Sequence, residues 1–125
     1  MRTFFIALVV ASAVLARSTA FADDINTRYS AIARSPSTGN WGTAQHYATL
    51  SLARAAAETA CRDSDCSWIV SGADDHPMAL ATTRNGAAVW NWGTSWPDLR
   101  DSLLADCRAY YGERAGCHIE VALPQ

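Results

Sequence analysis

The chain has 125 residues, half of them hydrophobic, with ten arginines, no lysine, twelve acidic residues and four cysteines, for a formal net charge of −2. The lack of lysine excludes Schiff-base and pyridoxal chemistry and a P-loop. The acidic balance argues against nucleic acid and anionic membranes as partners, because both are held by basic side chains that displace counterions.

Residues 1–22 read as a secretory signal peptide. Met1-Arg2-Thr3 is a short basic start, Phe4 to Ala16 an apolar run, and Ala20-Phe21-Ala22 a small-x-small cleavage site before Asp23-Asp24. A membrane span needs roughly 20 apolar residues, and this run meets Arg17 first. Cleavage after Ala22 implies a secreted or periplasmic protein with no membrane span. It leaves residues 23–125 as a single domain with eight arginines against twelve acids, no phenylalanine, five tryptophans and four tyrosines.

Along that domain, Tyr29 to Arg34 reads as a strand running through the turn-rich Ser35-Pro36-Ser37-Thr38-Gly39-Asn40 into a second strand at Trp41-Gly42-Thr43. A helix follows over Thr49 to Arg62, with Thr49 at its start and Leu50, Ala53, Ala57 and Ala60 at helical spacing. Cys66 opens a strand through Ser71. Asp74-Asp75-His76-Pro77 reads as a turn. Met78 to Thr83 and Ala87 to Gly93 flank Arg84-Asn85-Gly86, a strong hairpin cue. Ser95, Pro97 and Asp98 mark the start of a second helix whose stripe is Leu99, Leu103 and Leu104. Cys117 to Leu123 forms the last strand.

The order repeats. Thr49–Arg62 lies over Ser95–Arg108 at an offset of 46 without a gap, matching Arg54 to Arg100, Cys61 to Cys107 and Arg62 to Arg108. Each half, about 28–72 and 77–123, reads strand, strand, helix, strand. The fold expected is α+β in two layers: tandem β-β-α-β repeats forming one antiparallel or mixed sheet of about six strands, with both helices on one face. Two-residue alternation puts Cys66, Trp68 and Val70, and Cys117, Ile119, Val121 and Leu123, on the core side. Ser67, Ile69, Ser71, His118, Glu120 and Ala122 then face away.

Four cysteines in an exported chain read as disulfides, with three connectivities open. Equivalent placement favours two local staples, Cys61–Cys66 and Cys107–Cys117; pairing across the halves is the alternative. Such staples would support a core with only 15 Val, Ile, Leu and Met side chains in residues 23–125. No cysteine spacing suits a metal, and neither a metal nor a cofactor is expected.

Histidine occurs at 46, 76 and 118. Asp74-Asp75-His76 resembles an acid/base cluster but is also ordinary turn composition. Asp63-Ser64-Asp65 lacks the glycine and distal glutamate of a calcium loop. His118 and Glu120 share a strand face at i, i+2, a spacing open to acid/base work or to simple solvent exposure. The aromatics carry more: Trp90 and Trp92 lie two apart on one strand, Trp96 starts the following helix, and Trp41 sits in the first hairpin. Indoles suit stacking on sugars or gripping a protein, although they could also complete a core short of aliphatics, a reading that weighs more on Trp68 and Trp90.

The run from Tyr29 through Ser35-Pro36-Ser37-Thr38-Gly39-Asn40-Trp41-Gly42, with the alanine-rich helix ending at Cys61, Cys66 beyond it, Met78-Ala79-Leu80-Ala81 and a second cysteine-ended helix, resembles the bacterial exported family called domain of unknown function 4189. The resemblance covers roughly residues 27–122. Family members often carry a further cysteine where this chain has Asp74 to Pro77. The resemblance brings no agreed activity or catalytic residue with it.

The function expected is a small, exported, non-enzymatic binding protein with a protein partner, such as an inhibitor or immunity-type partner of a cell-wall or toxin enzyme. A module reading cell-wall glycan through exposed tryptophans is the alternative, and a hydrolase using His118, Glu120 or Asp74-Asp75-His76 stands third. Trp41, Trp92, Trp96, His118 and Glu120 are the candidate binding residues.

Overall fold

The computed structural model describes residues 26–125; the signal segment assigned to residues 1–22 lies outside the described residues. Eight elements follow in order: β1 (Tyr29–Arg34), β2 (Trp41–Tyr47), α1 (Leu50–Cys61), β3 (Ser67–Ala73), β4 (Met78–Thr82), β5 (Ala88–Trp92), α2 (Trp96–Tyr111) and β6 (His118–Leu123). The two halves correspond element for element.

Both hairpin turns use a glycine at positive φ. Gly39 closes the loop after Ser35, whose N–H donates to the Asn40 carbonyl at 2.8 Å, and Gly86 closes the loop between Thr83 and Ala87. Thr49 and Ser95 cap their helices through side-chain oxygens that accept from Leu52 N–H and Asp98 N–H, at 3.1 and 3.4 Å. Both local disulfides are present, Cys61–Cys66 and Cys107–Cys117.

The class is α+β with six antiparallel strands and two helices. The arrangement differs from the expected single sheet with both helices on one face. The strands form two three-stranded sheets, ordered β2-β1-β3 and β5-β4-β6. They stack with a helix outside each, giving four layers: helix, sheet, sheet, helix. The physical reason lies in the central strands. Ala31 and Ala33 of β1 pack against Ala53, Ala57 and Cys61 of α1, while Ile32 points the other way, into a cluster with Val70, Met78, Leu80, Val121 and Leu123. In β4, Ala79 and Ala81 meet Leu99 and Leu103 of α2, while Met78 and Leu80 enter that same central cluster. A strand apolar on both faces needs cover on both sides, and one six-stranded sheet with helices on one face would leave the other side in water.

The face assignment of the last strand in each half is corrected by a bulge. Ile32 pairs with Val70 but Ala33 with Trp68, so Ile69 is an extra residue. Likewise Leu80 pairs with Val121 but Ala81 with Ile119, leaving Glu120 extra. Two-residue alternation therefore fails at the same place in both halves. Val70 and Val121 face the other sheet, whereas Trp68 and Ile119 turn to the helix side.

Candidate functional site

Three of the expected residues converge at the end of the sandwich where β1 and β4 finish and β2 and β6 begin. Trp41, the first residue of β2, pairs with Arg34 and shares its face between the sheets. The β1–β2 loop that delivers it is pinned to the disulfide loop after α1. Buried Ser35 donates through Oγ to Asp65 Oδ1 at 2.6 Å, Ser37 N–H donates to Asp65 Oδ2, and Thr38 Oγ1 and Asn40 Nδ2 both donate to Asp63 Oδ2, at 2.7 and 2.8 Å. The bonds from Ser35, foremost, and Ser37 hold the Asp65 carboxyl below its ordinary range. Asp63-Ser64-Asp65 is thus a latch for the hairpin.

Across the gap, the Trp41 indole Nε1–H donates to Glu120 Oε1 at 3.3 Å. Glu120 Oε2 accepts from Thr82 Oγ1 at 3.2 Å and from His118 Nε2 at 3.1 Å. His118 Nδ1 lies 3.0 Å from the Gly116 carbonyl. Both ring nitrogens therefore face acceptors, an arrangement met by the doubly protonated ring. The Gly116 carbonyl, then Glu120, raise the His118 pKa; the His118 and Trp41 bonds lower that of Glu120. The bulge makes this cluster, because the extra residue Glu120 lets His118 meet Thr82 on the face between the sheets. Arg34, absent from the candidates read in the sequence, enters the same place and donates from Nη2 to the Gly86 carbonyl at 2.6 Å. Nothing local marks it, since its position follows from the packing of one sheet on the other.

Residues 29–123 match the model of the family described as Domain of unknown function (DUF4189). The chain belongs to that family. No curated protein and no solved structure matches it. In this DUF4189 member the stretch that carries the resemblance, Tyr29 to Gly42, does structural and positional work. It supplies the central strand, the latch and Trp41. Its last residue, Gly42, lets α1 approach: a Cβ there would lie 2.3 Å from Cys61 N and 2.5 Å from the Ala57 carbonyl oxygen.

The remaining expected residues lie at the opposite end. Trp92 and Trp90 pair with Met78 and Leu80, so their rings stand on the face between the sheets, at the open edge formed by β5. They are 53% and 43% exposed, and Trp68 is 42% exposed with the Arg54 guanidinium 3.9 Å above its ring. Trp68 and Trp90 therefore do not complete the core, which is built from smaller side chains. Trp96 is partly buried against the cluster of Ala79, Ala81, Leu99 and Leu103. His76 packs on Trp92, with ring centroids 5.4 Å apart. Asp74 is occupied by Ser30 and His46, which tie it to β1 and β2, and Asp75 is exposed.

Cys61, Asp63 and Cys66 lie close enough to suggest a metal, but the two sulfurs are bonded to each other and the Asp63 carboxylate is taken by Thr38 and Asn40. The disulfides are compatible with an exported protein. Among the described residues no helix is long and apolar enough to cross a membrane.

Proposed function

We propose that the protein is an exported, non-enzymatic binding module that grips a protein partner with the aromatic edge of β5, as an inhibitor or immunity-type partner of a cell-wall or toxin enzyme would. The observation that carries this reading is the pair of half-exposed indoles, Trp90 and Trp92, side by side on one strand face. Tryptophan is the residue most enriched where binding energy concentrates, and a rigid pair loses little entropy on docking. The edge is blunted against strand addition. Tyr111 Oη donates to the Ala88 carbonyl at 3.3 Å, and Trp92 N–H donates to Asn91 Oδ1 at 2.9 Å. Contact through ring faces therefore fits better than an added strand. Export follows from the residue pattern of 1–22 and is supported by the two disulfides.

Affinity capture from periplasmic extract and culture medium tests the reading. A protein retained by the wild type and lost with Trp90→Ala/Trp92→Ala, while Trp41→Phe still retains it, is the expected result. No such protein, or one retained equally by the double variant, would overturn it. A tryptophan fluorescence change with cell-wall fragments that Trp92→Ala abolishes would instead assign this edge to glycan.

A further inference from the structure

A different surface, at the far end of the sandwich from Trp92, holds a second set of unabsorbed features. We propose that the cleft between the Trp41 indole and the Arg34 and Arg84 guanidinium groups binds an acidic saccharide, a sugar ring carrying a carboxylate. This does not rest on the protein-partner reading and uses none of its residues.

Two hollows meet there. One, of about 400 Å³, has Trp41, Asn40 and Arg62 in its wall; the other, of about 440 Å³, has Arg34, Arg84, Thr82 and His118. Thr38, Gly39 and Glu120 line both, so the two form one bipartite cleft. Its first part offers an indole whose orientation is fixed by the bond from Nε1 to Glu120. A fixed aromatic face with hydroxyl and amide groups beside it suits the apolar face and hydroxyls of a pyranose.

The second part offers positive charge that forms no ion pair with any described carboxylate. Glu120 is matched by His118, with which it forms an ion pair when the imidazole is protonated, and its oxygens accept from Trp41, Thr82 and His118. Arg34 and Arg84 form no ion pair among the described residues. Among the described residues Arg34 meets only a neutral carbonyl and its buried Nε has no acceptor, an unusual state for a guanidinium N–H. Arg84 is aligned over Gly116, where a Cβ would come within 3.2 Å of its Nε. Two guanidinium groups beside a neutralised His–Glu pair make a carboxylate site, and arginine is the side chain best shaped for it.

Two-dimensional 1H–15N NMR with three probes tests this: a short oligogalacturonate, its fully methyl-esterified form and a polyglutamate. The oligogalacturonate is expected to shift the Trp41 indole N–H and the Arg34 and Arg84 Nε–H signals. The neutral ester is expected to lose most of that response, and polyglutamate to leave Trp41 unmoved. Arg84→Gln, at an exposed position, should weaken oligogalacturonate about ten-fold, as loss of one charge-assisted hydrogen bond implies. Trp92→Ala should bind as the wild type, which separates this site from the aromatic edge. An unmoved Trp41, an equal response to polyglutamate, or wild-type affinity in a folded Arg84→Gln would each overturn the proposal.

Discussion

In the first half, α1 presses on its sheet through Ala53 and Ala57, and Gly42 of β2, opposite Ala33, has no room for a side chain; in the second, Val89 stands opposite Ala81, and α2 is held off by Leu99 and Leu103. The same three elements are packed at two distances. The close half buries small side chains and draws on polar ties around its rim: the Ser35, Thr38 and Asn40 bonds to Asp63 and Asp65, Glu58 accepting from Trp68 N–H at 3.1 Å, and Arg54 donating to Ser71 at 3.0 Å. The wide half draws on leucine burial, worth about 1.5–3 kcal/mol per side chain. Small residues buy approach, and approach then has to be secured by hydrogen bonds.

That contrast can be broken most forcibly at Gly42. Gly42→Val puts a branched side chain where even a Cβ meets backbone, and is expected to cost upwards of about 3 kcal/mol in urea unfolding, with Val89→Ala costing about 1 kcal/mol. Next comes the wide half's own support. Leu103→Ala should lose about 2–5 kcal/mol, whereas Ala57→Gly in α1 should lose about 1 kcal/mol, a difference visible in paired denaturation curves.

The staples sharpen the comparison further. They close loops of sequence separation 5 and 10, so replacing both cysteines of a pair with serine should cost about 2 kcal/mol for Cys61–Cys66 and nearer 3 for Cys107–Cys117, read from thermal unfolding. A smaller effect tests the latch: Ser35→Ala is expected to cost about 1 kcal/mol and to loosen amide-exchange protection across the β1–β2 loop, leaving the β4–β5 loop unchanged.

The smallest effect concerns the His118–Glu120 pair. A raised histidine pKa contributes stability that is fully present below the unfolded value of about 6.5 and lost as pH rises through the folded one. A lowered glutamate pKa contributes stability present above about 4.5 and lost as pH falls through the folded value. The pair therefore supports the fold most between these pH values. His118→Gln should narrow the difference in unfolding midpoint between pH 5.5 and pH 8, and an unchanged profile would count against the pair.

Helix starts, hairpin turns and staples were legible because each is a local matter. Thr49 and Ser95 cap by reaching three residues along, Gly39 and Gly86 supply a backbone angle, and each cysteine pair closes a short loop. The candidate site was legible in part. Trp41, His118 and Glu120 stood out by residue type, but their meeting depends on the bulge at Glu120, which alternation cannot show. Arg34 and Arg84 carried no mark at all, because their value lies in pairing with no carboxylate among the described residues, and that is a property of the folded surroundings.

What the chain determines by itself is thus the list of elements, their order in two matching halves and the covalent closures, all set by short-range geometry. Whether six strands make one sheet or two was settled only by tertiary packing. Ala31-Ile32-Ala33 and Met78-Ala79-Leu80-Ala81 are apolar at every position, and such a strand can be satisfied only when a helix covers one face and a second sheet the other. That stacking also decides which side chains gather at the ends, placing a charged cleft beside Trp41 and an aromatic edge at Trp92.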